Sequence, residues 1–230
     1  VSKGLTSSSG SGYAVMVYGT LTIRDSSATE TNGTGGTGKL TGGYSTDRAG
    51  GIIVYQKATF NLESGSITGN RGKSTGASGG ICVEMYATFN MKGGSVTNNI
   101  AEVSGTNAGG IIVKGKINLT GGVISGNQGS MASALIWNNQ FYKEEQNVAN
   151  AIISGNSGAG AVISIGDAGD ARKVYFSNVT FTENTTTSAE TIRILGNSTG
   201  EFENCTFENN TGVIAKSLIG CSKTGSGLKM

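Results

Sequence analysis

Six segments of the chain close on asparagine at a near-constant interval: Ile67-Thr68-Gly69-Asn70, Val96-Thr97-Asn98-Asn99, Ile124-Ser125-Gly126-Asn127, Ile153-Ser154-Gly155-Asn156, Phe181-Thr182-Glu183-Asn184 and Phe207-Glu208-Asn209-Asn210. By their numbering, successive asparagines lie 29, 28, 29, 28 and 26 residues apart. A fixed period of this length marks a repeat architecture, in which each unit touches only its neighbours. One elongated domain over residues 1–230 is therefore expected, rather than two globules.

Counting back from each asparagine gives columns. Three residues before it stand Ile67, Val96, Ile124, Ile153, Phe181 and Phe207. Eight before stand Leu62, Met91, Leu119, Val148, Phe176 and Phe202, and ten before stand Phe60, Phe89, Ile117, Gln146, Val174 and Gly200. Polar residues alternate with these, as in Asn61 and Glu63 or Asn90 and Lys92. Period-two alternation predicts strands with one face inward. A small residue separates the two strands: Gly65, Gly94, Gly122, Ala151, Val179 or Cys205. A third strand opens each unit: Gly50-Gly51-Ile52-Ile53-Val54, Gly79-Gly80-Ile81-Cys82-Val83 and Gly109-Gly110-Ile111-Ile112-Val113. Weaker versions follow at Ala134-Leu135-Ile136, Ala161-Val162-Ile163, Thr191-Ile192-Arg193-Ile194 and Gly212-Val213-Ile214, and an earlier coil at Val15-Met16-Val17 and Leu21-Thr22-Ile23.

Three short strands and three turns in about 28 residues predict an all-β fold, a parallel β-helix of about seven coils stacked about 4.8 Å apart. The general preference for right-handed crossovers sets its expected hand. Regular repeats are expected over about 44–212, with a glycine-rich insertion at 33–43 and an irregular loop at 131–146. Helical repeats would need apolar positions at 3.6 spacing and few glycines, leucine-rich repeats a leucine ladder, and propeller blades a longer period. The 39 glycines mean many tight turns, and the absence of proline suits strands paired on both sides. The asparagine is expected at a corner, where it tolerates the left-handed region and can stack as an amide ladder.

Composition narrows function. Histidine is absent, which removes Ser-His-Asp, Cys-His and histidine-zinc chemistry within this chain. The net charge is +2 and the basic residues are scattered, so no nucleic-acid partner is expected. No apolar run reaches a membrane span. The chain begins at a valine without a visible signal peptide and reads as a mature or trimmed product. The Ser, Thr, Asn and Gly content with few charges fits a secreted or cell-surface location. Cys82, Cys205 and Cys221 read as free thiols, although Cys205 and Cys221 fall in adjacent coils.

The pairs Phe181…Asn184 and Phe207…Asn210, together with three Gly-Gly-Ile openings, resemble the paired tetrapeptide repeats of polymorphic outer-membrane protein-type β-helices, found in autotransporter-like passengers and other bacterial surface proteins. The Ile-Ser-Gly-Asn closings are similar to repeats of wall-anchored surface proteins of gut bacteria. The resemblance spans about residues 50–212. It implies a bacterial extracellular fold and an adhesive role, and a chain that is a fragment or processed passenger.

Candidate chemistry in the chain is sparse. Asp167 and Asp170, beside Arg172 and Lys173, form a Gly-Asp turn of the type that can bind calcium, although a solvated loop is the simpler reading. No catalytic residue is assigned, no cofactor is expected, and the chain is not expected to be an enzyme. Glu63 and Lys92 read as a surface ion pair. Trp137, the only tryptophan, with Phe141 and Tyr142, interrupts the pattern; packing on the side of the helix is the preferred reading, and a carbohydrate-stacking loop, the best single candidate for a binding site, is the alternative. Ile53, Cys82, Ile112, Leu135 and Ile163 are expected to point outward as an apolar stripe for a second copy or another surface protein. A further face carries Ser66-x-Thr68, Ser95-x-Thr97, Val123-x-Ser125, Ile152-x-Ser154 and Thr180-x-Thr182. Flat ladders of this kind suggest ice binding, interrupted here by Val123, Ile152 and Glu208. The leading expectation is a structural or adhesive surface β-helix. Carbohydrate binding near Trp137 and ice binding are the alternatives.

Overall fold

In the computed structural model the described residues are 12–26, 37–105, 107–138, 145–166 and 171–212, with the backbone of two further strands, Ile219–Cys221 and Gly227–Lys229. Every strand pairing among them is parallel, and they contain no helix. The first sheet runs through Val15–Val17, Ile52–Val54, Ile81–Val83, Ile111–Val113, Ala132–Trp137, Ala161–Ile165, Ile192–Ile194 and Ile219–Cys221. The second begins at Thr20–Ile23 and Thr59–Leu62 and ends at Thr199–Glu203 and Gly227–Lys229. The third has seven described strands, from Lys39–Leu40 through Ser66–Thr68 to Thr206–Glu208, so its ends lie about six turns apart. This is a β-solenoid with three strands per coil, as the columns predict. The glycine-rich insertion is shorter than expected, because Lys39 and Leu40 already pair with Ser66 and Ile67.

Five of the six ladder asparagines are followed by a two-residue strand, such as Arg71–Gly72 or Thr185–Thr186, in one of two small sheets, and after Asn127 the single residue Gln128 bridges to Ile100 and Ser157. The Gly-Gly openings exist because this strand passes directly over them. A Cβ on Gly50 would lie 2.5 Å from the Arg71 backbone nitrogen, and one on Gly79 would lie 2.4 Å from that of Ile100.

The interior is one continuous apolar column. Like side chains stack coil over coil: Phe60 on Phe89 at 5.1 Å between ring centroids, Phe176 on Phe202 at 4.7 Å, Phe181 on Phe207 at 4.7 Å. Between the aromatic stacks the second sheet narrows to Ile117 and then Gln146. Trp137 fills the space from the opposite sheet, fully buried and edge-on to Phe176 at 6.3 Å.

The six asparagines form an unbroken ladder. The Oδ1 atoms of Asn99, Asn127, Asn156, Asn184 and Asn210 each accept from the backbone N–H and the Nδ2 of the asparagine one coil earlier, at 2.8–3.1 Å. Each Nδ2 also donates backward to a carbonyl, as Asn99 does to Ile67 and Asn127 to Val96, both at 2.9 Å. At the first rung, the Gly43 N–H donates to Asn70 Oδ1 at 2.9 Å.

One expectation needs correction. The left-handed residue at this corner is the one before the ladder asparagine: Gly69, Asn98, Gly126, Gly155, Glu183 or Asn209, with φ of 52° to 67°. The asparagine is free for the ladder because its neighbour makes the bend. The other corner of the third sheet changes design along the rod. Gly65, Gly94 and Gly122 have positive φ, whereas later coils bend at Asn150, Asn178 and Asn204. Ala151, Val179 and Cys205, expected as bend residues, instead pack against the core.

Candidate functional site

The outward column of the first sheet is Met16, Ile53, Cys82, Ile112, Ile136, Ser164 and Arg193. Leu135 and Ile163 do not belong to it. They pair with Ile111 and Ile192 and point into the core, so their placement on the stripe is corrected. A one-residue slip exchanges the two faces of a strand. An irregular register between Ala132 and Leu135 hides the alignment in that coil.

Nor is the stripe an open surface. Ile53, Cys82, Ile112 and Ile136 are fully buried in a second apolar cluster with Ala49, Ala108 and Ala132, with Tyr13, Tyr55 and Met131 packed against it. Glu84 closes its flank. Its Oε1 lies 2.9 Å from Lys114 Nζ and 3.4 Å from Arg48 NH1, and it accepts from the Cys82 thiol at 3.4 Å. Burial and the Glu84 carboxylate push the Cys82 thiol up to about 12, against a relief from Lys114. Burial lowers the Lys114 ammonium, but the hydrogen bond and charge of Glu84 act against that and it stands raised. The arrangement is a satisfied charge cluster over a thiol held neutral, suited to holding the outer layer down.

Trp137 is likewise a core side chain: it packs, as preferred over stacking, but inside the column rather than on its side, so the alternative of a stacking platform there is corrected. Its column is Val54, Val83, Val113, Trp137 and Ile165, so the residue is inward by register. Phe141, Tyr142, Asp167 and Asp170 lie outside the described residues. Arg172 is 1% exposed. Glu63 bridges Arg24 and Lys92 across three coils of the second sheet, as expected of a surface pair. Among the described residues, hollows of about 340 Å³ near Arg24, Asp25 and Lys39 and of about 520 Å³ along Glu102, Gln128 and Ser157 open at the surface. Neither gathers a reactive set among the described residues.

The third sheet retains an open face. Its first outward column is Ser66, Ser95, Val123, Ile152, Thr180 and Thr206, and its second is Thr68, Thr97, Ser125, Ser154, Thr182 and Glu208, all in register. Most of these side chains are half-buried; Ile152 is 45% exposed and Thr206 and Glu208 are exposed. No ionisable side chain stands in either column between Lys39 and Glu208. Hydroxyls bond along the axis, Ser95 Oγ donating to Ser66 Oγ at 2.9 Å. Strand spacing and residue rise make this a grid of about 4.8 Å by about 6.6 Å. The second sheet, by contrast, presents Lys92, Lys116, Lys173, Glu201 and Glu203 outward.

No known protein family matches this chain. No curated protein is significantly similar to it. No helix among the described residues is long and apolar enough to cross a membrane.

Proposed function

We propose that this chain is a non-enzymatic, extracellular structural rod that adheres through the flat face of its third sheet. One observation carries the reading: two columns of small hydroxyl and aliphatic side chains run in register over several strands without a charge. A charge-free strip loses little solvation on contact, and a parallel ladder holds its side chains in place. The complementary partner is itself flat, neutral and repetitive, and an insoluble polysaccharide of the cell envelope or its surroundings has that character. This moves the adhesive role away from the Ile53 stripe, which the chain covers itself. Bacterial origin and a surface-repeat relationship remain part of the proposal through the resemblance of the Phe-x-x-Asn and Gly-Gly-Ile motifs.

The test is co-sedimentation with insoluble neutral polysaccharides such as cellulose and chitin, with a charged resin as control. Retention on the neutral solids supports the reading. A chain that stays in solution with all of them contradicts it.

Ice binding is the second reading. It is favoured by the mixture of hydroxyls with the methyls of Val123, Ile152 and the threonines on one grid without an aromatic ring. Thermal hysteresis measured on the same preparation separates it from polysaccharide adhesion.

A further inference from the structure

Seven Asn-x-Ser/Thr triplets occur in the chain, beginning at Asn32, Asn118, Asn178, Asn184, Asn197, Asn204 and Asn209. Such a triplet accepts an N-linked glycan when it lies at the surface of a secreted protein. The fold sorts them. Asn184 is fully buried, and its Nδ2 donates to the Ile153 carbonyl and to Asn210 Oδ1, both at 2.8 Å. Asn118 is half-buried within a strand of the second sheet, and Asn32 lies outside the described residues. Asn178, Asn197, Asn204 and Asn209 are exposed and stand in turns.

Geometry adds a constraint. Asn178 and Asn204 occupy the same corner of adjacent coils, as the pairings Ser177 with Glu203 and Thr180 with Thr206 require. Their φ values are 53° and 52°, and the residues that follow them, Val179 and Cys205, pack against the core. The hydroxyl-bearing third residues, Thr180 and Thr206, open strands of the third sheet on its outward column. Stacked corners are about 4.8 Å apart, less than the width of a branched oligosaccharide. Asn209, with φ of 52°, lies at the opposite edge of the same sheet.

We propose that Asn178, Asn197, Asn204 and Asn209 are acceptors for N-linked glycans, with Asn178 and Asn204 sharing a single occupancy. The donor is a polyprenyl-pyrophosphate oligosaccharide. The carboxamide nitrogen attacks the anomeric carbon and a C–N bond forms. The C–O bond to pyrophosphate breaks, its electron pair leaves with the pyrophosphate, and the amide proton passes to a base of the transferase. No oxidant or reductant is involved. The glycans flank the third-sheet face at its C-terminal end and leave its earlier strands open. The proposal rests on the extracellular reading, in that the chain must traverse a secretory pathway holding a transferase that recognises the triplet, and it does not rest on the bacterial origin.

The test supplies that passage directly. The full chain, behind a cleavable secretion signal, is produced in cultured animal cells and treated with peptide N-glycosidase in heavy-oxygen water. Peptide masses then mark each formerly glycosylated asparagine, and the intact mass counts glycans per molecule. The expected result is marking at Asn197, at Asn209 and at a mixture of Asn178 and Asn204, no more than three glycans at once on these four positions (with Asn32 and Asn118 replaced by Gln for the count), and none at Asn184. Thr206→Ala shifts all corner occupancy to Asn178, and Asn178→Gln shifts it to Asn204. Secreted protein bare at all four positions overturns the proposal wherever the chain naturally resides. Molecules carrying glycans on Asn178 and Asn204 together overturn the shared occupancy.

Discussion

The Asn127 carboxamide oxygen accepts two hydrogen bonds from Asn99, one from its backbone N–H at 3.0 Å and one from Nδ2 at 3.1 Å. The Asn127 Nδ2 donates in turn to the Val96 carbonyl and to Asn156 Oδ1. The amide is fully used while fully buried, so it joins three coils. Asn127→Ala orphans a buried N–H and a buried carbonyl, each worth about 1–3 kcal/mol. A loss of about 3 kcal/mol or more in denaturant unfolding is expected. Asn210→Ala, at the half-exposed last rung, is expected to cost about 1 kcal/mol.

The bend before each ladder asparagine carries its own prediction. Glu183 holds φ of 55° where three other coils use glycine. The left-handed region costs a non-glycine residue about 1–2 kcal/mol, partly offset by the greater unfolded freedom of glycine. Glu183→Gly is therefore expected to stabilise by about 0.5–1 kcal/mol. Gly126→Ala is expected to destabilise more than Gly155→Ala. Its Cβ would meet Asn98 Oδ1 at 2.3 Å, whereas the nearest atom at Gly155 is 3.9 Å away. Thermal midpoints of the three variants give the order.

Trp137 reports on the core. As the only tryptophan and a fully buried one, it is expected to emit at short wavelength and to resist acrylamide quenching until the chain unfolds. Trp137→Ala is expected to cost about 3–5 kcal/mol, the range for deleting a large buried ring. Emission typical of water-exposed indole would contradict this placement.

The buried thiol gives a pH dependence. Cys82 keeps its proton to about 12 in the folded chain, while an unfolded thiol ionises near its ordinary value of 9.0. Between these values the unfolded state binds fewer protons, so stability contributed by the neutral thiol falls as pH rises through this window. Cys82→Ala is expected to flatten that decline in unfolding measured from pH 8 to 11. In native buffer Cys82 is expected to react with thiol reagents more slowly than the half-buried Cys205, read by peptide mapping.

Much of this architecture is legible in the sequence. The asparagine period and the alternation of Phe60 and Leu62 with Asn61 place both strands and the core in register. The first-sheet strands of the later coils are harder to place. Ala134-Leu135-Ile136 looks like Gly-Gly-Ile with the glycines replaced, but the strand aligns as Leu135-Ile136-Trp137 over Ile111-Ile112-Val113. Reading Trp137 beneath Val54, Val83 and Val113 would have marked it as inward. Coverage of Ile53 and Ile112 is not legible, because it depends on residues outside the repeat columns, such as Tyr13 and Met131. A period shows which way a side chain points and leaves open what lies over it.

The most direct test of the adhesive face places one charge at its centre. Ser125 stands in the second outward column of the third sheet, while Asn118 is similarly half-buried on the second sheet. Desolvating an unpaired ammonium on contact is unfavourable, and each 1.4 kcal/mol is about tenfold in affinity. In co-sedimentation with an insoluble neutral polysaccharide, Ser125→Lys is predicted to weaken retention about tenfold or more, while Asn118→Lys leaves it unchanged. Equal retention of the two variants, or none by the wild type, would contradict adhesion through this face.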